Sequence, residues 1–160
     1  MLALPENDID AALFCQLTRQ AAGLYRTAPT QALLLLTRAL ALWRGPALLD
    51  TGQGLISRMA YTRLTETRLA AYEYYFDAAL LLDLHREIIT ELHPLHDRYP
   101  LRERFCEQLI SALYRSGRQA EALDVYHRTR RRLADSLGLE PGDALREQFE
   151  KVLRREPLTV

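Results

Sequence analysis

Leu113-Tyr114-Arg115-Ser116-Gly117-Arg118-Gln119-Ala120-Glu121-Ala122-Leu123-Asp124-Val125-Tyr126 is the stretch that decides the fold of this chain. Leu113 and Tyr114 end an apolar stripe that begins with Phe105, Leu109 and Ile110 and recurs at helical spacing. Ser116-Gly117 stops that helix, because glycine is the residue that most readily leaves a helix through a left-handed turn. Ala122, Leu123 and Tyr126 then open a second stripe. The stretch therefore reads as a helical hairpin, with Ala122 small enough to let its two helices approach closely.

Shifted against itself by 34 residues, the sequence aligns Tyr72 with Cys106, Tyr75 with Leu109, Phe76 with Ile110, Ala79 with Leu113, Ile88 with Ala122 and Leu92 with Tyr126. That shift is the tetratricopeptide period. The earlier unit is degenerate: Asp83 stands where the turn glycine belongs, and Ile88 replaces the small alanine. A third hairpin precedes it, with Leu17, Ala21 and Leu24 on one helix and Ala32, Leu36 and Ala39 on the next. A last stripe of Leu145, Phe149, Val152 and Leu153 follows Pro141-Gly142-Asp143 as a capping helix. The expected fold is all-α: tetratricopeptide-like hairpin repeats, about seven helices in a right-handed superhelix.

The helices are expected over about 8–26, from Ala32 to Trp43, from Ile56 to about Asp83, over 85–99, around Phe105 to Tyr114, from Ala122 to Leu137 and from Pro141 onward. Pro94 should kink or shorten the fourth. Residues 45–55, with Gly45, Pro46, Gly52 and Gly54, form the longest loop, and only Leu2 to Leu4 could suggest a strand. Residues 1–6 read as a linker or the remnant of a preceding domain, 7–155 as the repeat domain and 156–160 as a tail.

A chain of 160 residues can bury a full core without staples, roughly 68–70% of its unfolded surface. Lys plus Arg and Asp plus Glu both number 21, so no global field attracts nucleic acid. Cys15 and Cys106 lie in apolar patterns without ligand spacing and suit reduced core positions, which fits a cytoplasmic protein. The start lacks a secretory pattern, and no stretch reaches the roughly 18 apolar residues of a membrane span.

The sequence resembles the bacterial transcriptional activator domain of the SARP class of antibiotic regulatory proteins. The residues that carry the likeness are Ala39-Leu40-Ala41-Leu42-Trp43-Arg44-Gly45-Pro46-Ala47-Leu48, Arg63-Leu64, His93 to Arg104, Ala112 to Leu123, and the tail Leu133 to Pro141. The resemblance implies an all-helical domain that follows a winged-helix DNA-binding domain, helps it to oligomerise and engages the transcription machinery. Its partners would be RNA polymerase, its own DNA-binding domain or a second copy, and it would meet DNA only through the winged helix. Leu2-Ala3-Leu4-Pro5 looks like the end of that domain's last strand, whether in an excised fragment or a truncated relative. The alternative is a free-standing tetratricopeptide adaptor for a peptide.

Catalytic readings are weak. His93 and His96 share a helical face, but Pro94 disturbs it and no second ligand pair follows. Cys106 with His127 as nucleophile and base fails because Cys106 holds a core position, and Gly52-Gln53-Gly54 lacks the lysine of a phosphate loop. No catalytic residue, metal or cofactor is expected, and the chain reads as a non-enzyme. Arg128, Arg130, Arg131 and Arg132 form the densest basic run, expected to be neutralised by Asp124 and Asp135. Among Tyr72, Tyr74 and Tyr75, Tyr74 is expected to face outward. By the repeat register, the inner groove that would take a protein partner is lined by Glu73 and Asp77 in one unit and by Arg104, Glu107, Ser111, Tyr114 and Arg115 in the next.

Overall fold

The computed structural model describes residues 6–43 and 55–158. Among them are seven α-helices and no strand: α1 (Glu6–Leu24), α2 (Pro29–Ala41), α3 (Leu55–Leu81), α4 (His85–Arg98), α5 (Glu103–Arg115), α6 (Gln119–Leu137) and α7 (Asp143–Leu153). The expected loop lies outside the described residues except for Leu55, which opens α3. Residues 1–5, Arg44 to Leu48 and 159–160 lie outside them too, and with them the expected remnant and part of the family motif.

Of the two effects expected of Pro94, a kink or a shortening, the second does not occur: α4 continues to Arg98. Proline removes one helical N–H and frees the carbonyl of Thr90 four residues earlier. Both Pro94 and Thr90 are exposed, so water can take that carbonyl and the helix runs on.

The chain divides into two compact units, Met1–Ala78 and Ala79–Val160. In the first, Phe14, Leu17 and Ala21 of α1, Ala32, Leu36 and Ala39 of α2, and Ala71 and Ala78 of α3 form one buried cluster. Five of these eight residues are alanines, which is how helix backbones come close enough to exclude water. The rim is aromatic. Trp43 packs edge-on against Phe14, and the Arg68 guanidinium lies 4.8 Å over the Trp43 ring. Tyr74 is held 5.3 Å from Tyr25 and is half-buried like Tyr72 and Tyr75, contrary to its expected outward aspect. The long ring finds cover on Tyr25, just past the end of α1, that its place in the repeat did not reveal.

In the second unit α4 packs on α5, α5 on α6, and α7 on both α5 and α6. The repeat is visible in the backbone. α3 ends with Asp83 at φ 59°, Leu84 N donating to Ala79 O at 2.9 Å, and α5 ends with Gly117 at φ 79°, Arg118 N donating to Leu113 O at 2.9 Å. α7 ends the same way, with Arg155 at φ 56° and Glu156 N donating to Lys151 O at 2.9 Å. Each is a Schellman cap, which satisfies carbonyls that a helix end leaves open. Asp83 and Gly117 are one period apart, so the repeat alignment marks equivalent backbone positions.

Candidate functional site

The seven candidate groove residues have different surroundings. In the first unit Glu73 is half-buried, whereas Asp77 is only 4% exposed and closed to solvent. In the second unit Ser111 is 6% exposed, because α7 covers it: Gln148 Nε2 donates to Ser111 Oγ at 2.6 Å and to Glu107 O at 2.8 Å. A face of α5 that would be groove in an open array is therefore partly occupied by the capping helix.

Arg115 is committed to the turn beside it. Its Nη1 donates to Leu80 O at 2.7 Å and its Nη2 to Asp83 Oδ1 at 2.5 Å. A cation at a helix C-terminus meets both an open carbonyl and the negative end of the helix dipole. The ion pair also anchors Asp83, a non-glycine residue in a left-handed conformation. Arg104 Nη1 donates to Glu107 Oε2 at 2.7 Å, one turn apart on α5. Arg104, Glu107 and half-buried Tyr114 remain accessible to a partner.

The histidine pair is split by burial. His93 Nδ1 lies 3.2 Å from Asp97 Oδ2 near solvent, whereas His96 is 2% exposed, with Nε2 3.4 Å from Thr129 Oγ1. Burial pushes the His96 pKa down to about 4, against the opposing pull of Asp97, so the ring is neutral at ordinary pH. Thr129 also hydrogen-bonds Cys106, whose thiol burial pushes up to about 12. Such a thiol stays protonated and is no nucleophile. His127 instead packs against Phe149, which stacks on Tyr126 with centroids 3.9 Å apart. Among the described residues no three His, Cys, Asp or Glu side chains gather as a metal site.

Three of the four arginines in the run on α6 lie beside acids, not throughout the expected ones. Arg128 pairs with Asp124 at 3.1 Å, as its spacing suggested. Arg130 pairs with Glu140 at 2.8 Å, and Arg132 lies 3.7 Å from Asp97, while Asp135 pairs with neither Arg131 nor Arg132 among the described residues. The turn after α6 and the packing of α4 bring acids that are distant in sequence.

Sequence reasoning missed the His96–Thr129–Cys106 cluster, which links α4, α5 and α6. It also missed the glutamines that fasten α7, where Gln119 Nε2 donates to Val152 O at 2.8 Å in addition to the bonds of Gln148. The position of Thr129 three residues beyond Tyr126 on the buried stripe was the available signal. No free Cys forms a disulfide among the described residues: Cys106 is buried and Cys15 half-buried.

These features define a class: an all-helical hairpin-repeat protein whose described buried polar groups join one helix to another. The chain belongs to the bacterial transcriptional activator domain family, whose model matches residues 9–153. Transcriptional regulator RedD of Streptomyces coelicolor is 42% identical over 158 residues, which are 99% of this chain and 45% of that protein. Regulatory protein AfsR of the same organism is 46% identical over 123 residues, 77% of this chain and 12% of its own length. A solved structure of Mycobacterium tuberculosis EmbR, in complex with a low affinity phosphopeptide, matches with a TM-score of 0.89 at 34% identity, covering 99% of this chain and 42% of that one. The chain thus spans less than half the length of these relatives. They are SARP-family regulators, and this chain is a domain of that transcription-regulating family. No helix among the described residues is long and apolar enough to cross a membrane.

Proposed function

We propose that the chain is the regulatory protein–protein interaction domain of a cytoplasmic transcription activator rather than an enzyme. It acts by oligomerising and by contacting the transcription machinery, RNA polymerase in particular, or its own winged-helix DNA-binding domain. The observation that supports this most is the family match across 9–153 on a fold whose buried histidine and cysteine are spent on packing. Glu73 and Asp77 in one unit, and Arg104, Glu107, Ser111, Tyr114 and Arg115 in the other, are the proposed partner-facing set. In the second set Arg104, Glu107 and Tyr114 are the more accessible members, whereas Ser111 is held by Gln148 and Arg115 by Asp83.

Phosphate contacts alone carry no sequence information, and base readout needs an element in a groove. With equal numbers of acidic and basic residues, this chain alone should bind DNA weakly and without sequence preference. The test is a titration of promoter and scrambled DNA at moderate salt against this chain and against the same chain joined behind a winged-helix domain. Promoter-selective, submicromolar binding by the chain alone would overturn the reading. A companion pull-down with purified RNA polymerase should weaken in the double variant Arg104→Glu, Tyr114→Ala and stay unchanged in a control substitution at Glu147.

A further inference from the structure

We propose that the outer surface of the α1–α2 hairpin is a contact for the phosphate backbone of duplex DNA, independent of base sequence. It adds to base readout by a winged-helix domain and does not depend on the partner set of α5. From Ala11 to Leu49 the sequence has no aspartate or glutamate, in a chain that has 21 acids in 160 residues. Arg19, Arg26 and Arg38 lie in that stretch, and all three are exposed. None of them pairs with a carboxylate among the described residues. Solvated faces ordinarily mix both signs. The second unit does so, with Arg118 paired to Glu121, Arg130 to Glu140 and Arg154 to Glu150.

The spacing points to a polymer. α1 and α2 are joined by residues 25–28 and run antiparallel. At 1.5 Å per residue, Arg26 stands at the tip of the hairpin, Arg19 about 8 Å back from the end of α1, and Arg38 about 14 Å into α2. A single small anion would need these cations to converge on one point. Spread along a hairpin, they suit an extended polyanion, and each DNA strand carries one charge per about 3.4 Å of axis. Arg26 is already held in place: its Nε donates to Tyr25 Oη at 2.8 Å, and Tyr25 packs 5.3 Å from Tyr74 of α3. Exposed Gln16, Gln20 and Gln31 belong to the same two helices, and amide side chains join arginine among the usual donors to phosphate oxygens.

Other anionic partners fit less well. Among the described residues of the hairpin, Leu34 is the one large apolar side chain that is exposed. An acidic amphipathic helix would find nothing to cover its apolar ridge, and a bilayer would gain no insertion.

The experiment follows the fluorescence anisotropy of a labelled random-sequence duplex with the whole chain as salt rises from low to physiological. Three phosphate contacts give log K against log salt a slope of about −2.7. The triple variant Arg19→Gln, Arg26→Gln, Arg38→Gln should bring that slope toward zero and weaken binding at low salt by at least about tenfold. The triple variant Arg118→Gln, Arg130→Gln, Arg154→Gln makes the same change in net charge and should keep the slope of the parent. Helicity by circular dichroism should be the same in all three proteins, because every substituted side chain is exposed. Equal losses in the two triple variants would make the binding a matter of net charge and overturn the proposal, as would a parent that binds no duplex at low salt. Phosphatidylserine vesicles and a glutamate-rich helical peptide are the comparison probes. If the first triple variant loses either of them while duplex binding persists, the face belongs to a membrane or a protein and the proposal is equally overturned.

Discussion

The turns at Asp83 and Gly117 have the same backbone and different chemistry. At Gly117 the left-handed conformation costs little, because there is no Cβ, and no atom from elsewhere in the chain lies within 4 Å of where one would be. At Asp83 a side chain must be tolerated, at about 1–2 kcal/mol. Arg115, reaching from the second hairpin, binds both the Asp83 carboxylate and the Leu80 carbonyl. The same pair of hairpins differs two turns later, where Ile88 of α4 and Ala122 of α6 are equivalent and both buried. The degenerate hairpin thus uses side-chain volume and a cross-repeat ion pair where the other uses backbone permissiveness and a small alanine.

The largest expected break in this comparison is Ile88→Ala, which gives the first hairpin the residue of the second. If the wider side chain fills real space, the cavity costs about 2–5 kcal/mol in urea unfolding. A change below half a kcal/mol would show that Ile88 fills no volume the hairpin needs.

Acid tests the polar link between α4 and α6. His96 is neutral when folded, with its pKa lowered from 6.5 to about 4, and titrates near 6.5 once unfolded. Its contribution is therefore fully present above pH 6.5 and is lost as pH falls from there through about 4. The loss is on the order of 3–4 kcal/mol at 1.36 kcal/mol per pKa unit. His96→Leu should flatten the stability profile over that window, and an unchanged slope would place the acid sensitivity elsewhere.

The converse swap, Ala122→Leu, should overpack α6 against its neighbours and cost about 1–3 kcal/mol. Thermal and denaturant midpoints equal to those of the parent would show that the assigned repeat register is wrong.

The smallest effects sharpen the comparison at the turns. Gly117→Ala should cost about 1 kcal/mol through conformation alone, since there is open space for the methyl group. Asp83→Gly should be close to neutral, within about 0.5 kcal/mol, because relief of the left-handed strain offsets the lost exposed ion pair. Differential scanning calorimetry of the two variants side by side distinguishes them.

Much of the architecture was legible from particular residues. The stripe of Phe105, Leu109, Ile110 and Leu113, stopped by Gly117, identified α5, and Ala122 with Tyr126 identified α6, because a helix long enough to bury one face has to repeat its apolar residues every three or four positions. Asp83 could be recognised as a turn residue only through its alignment with Gly117, since aspartate by itself marks many kinds of turn. Whether Pro94 shortens its helix depends on whether the freed carbonyl meets water, which is a property of the surroundings. The candidate groove was legible only in outline. Its register was available, but that α7 would close over Ser111 and that Arg115 would turn toward Asp83 are contacts between residues 37 and 32 positions apart.

By itself the sequence determined the all-helical class, the 34-residue hairpin period, the equivalence of Asp83 and Gly117 and the family, because these depend on local periodicity, backbone conformation and the spacing of motifs. The tertiary structure alone decided which charges neutralise the arginines of α6, which histidine of the pair is buried, and which polar side chains fasten the capping helix. Periodicity says which face of a helix is buried but not which residue of another helix it meets, and pairing and pKa follow from that second fact.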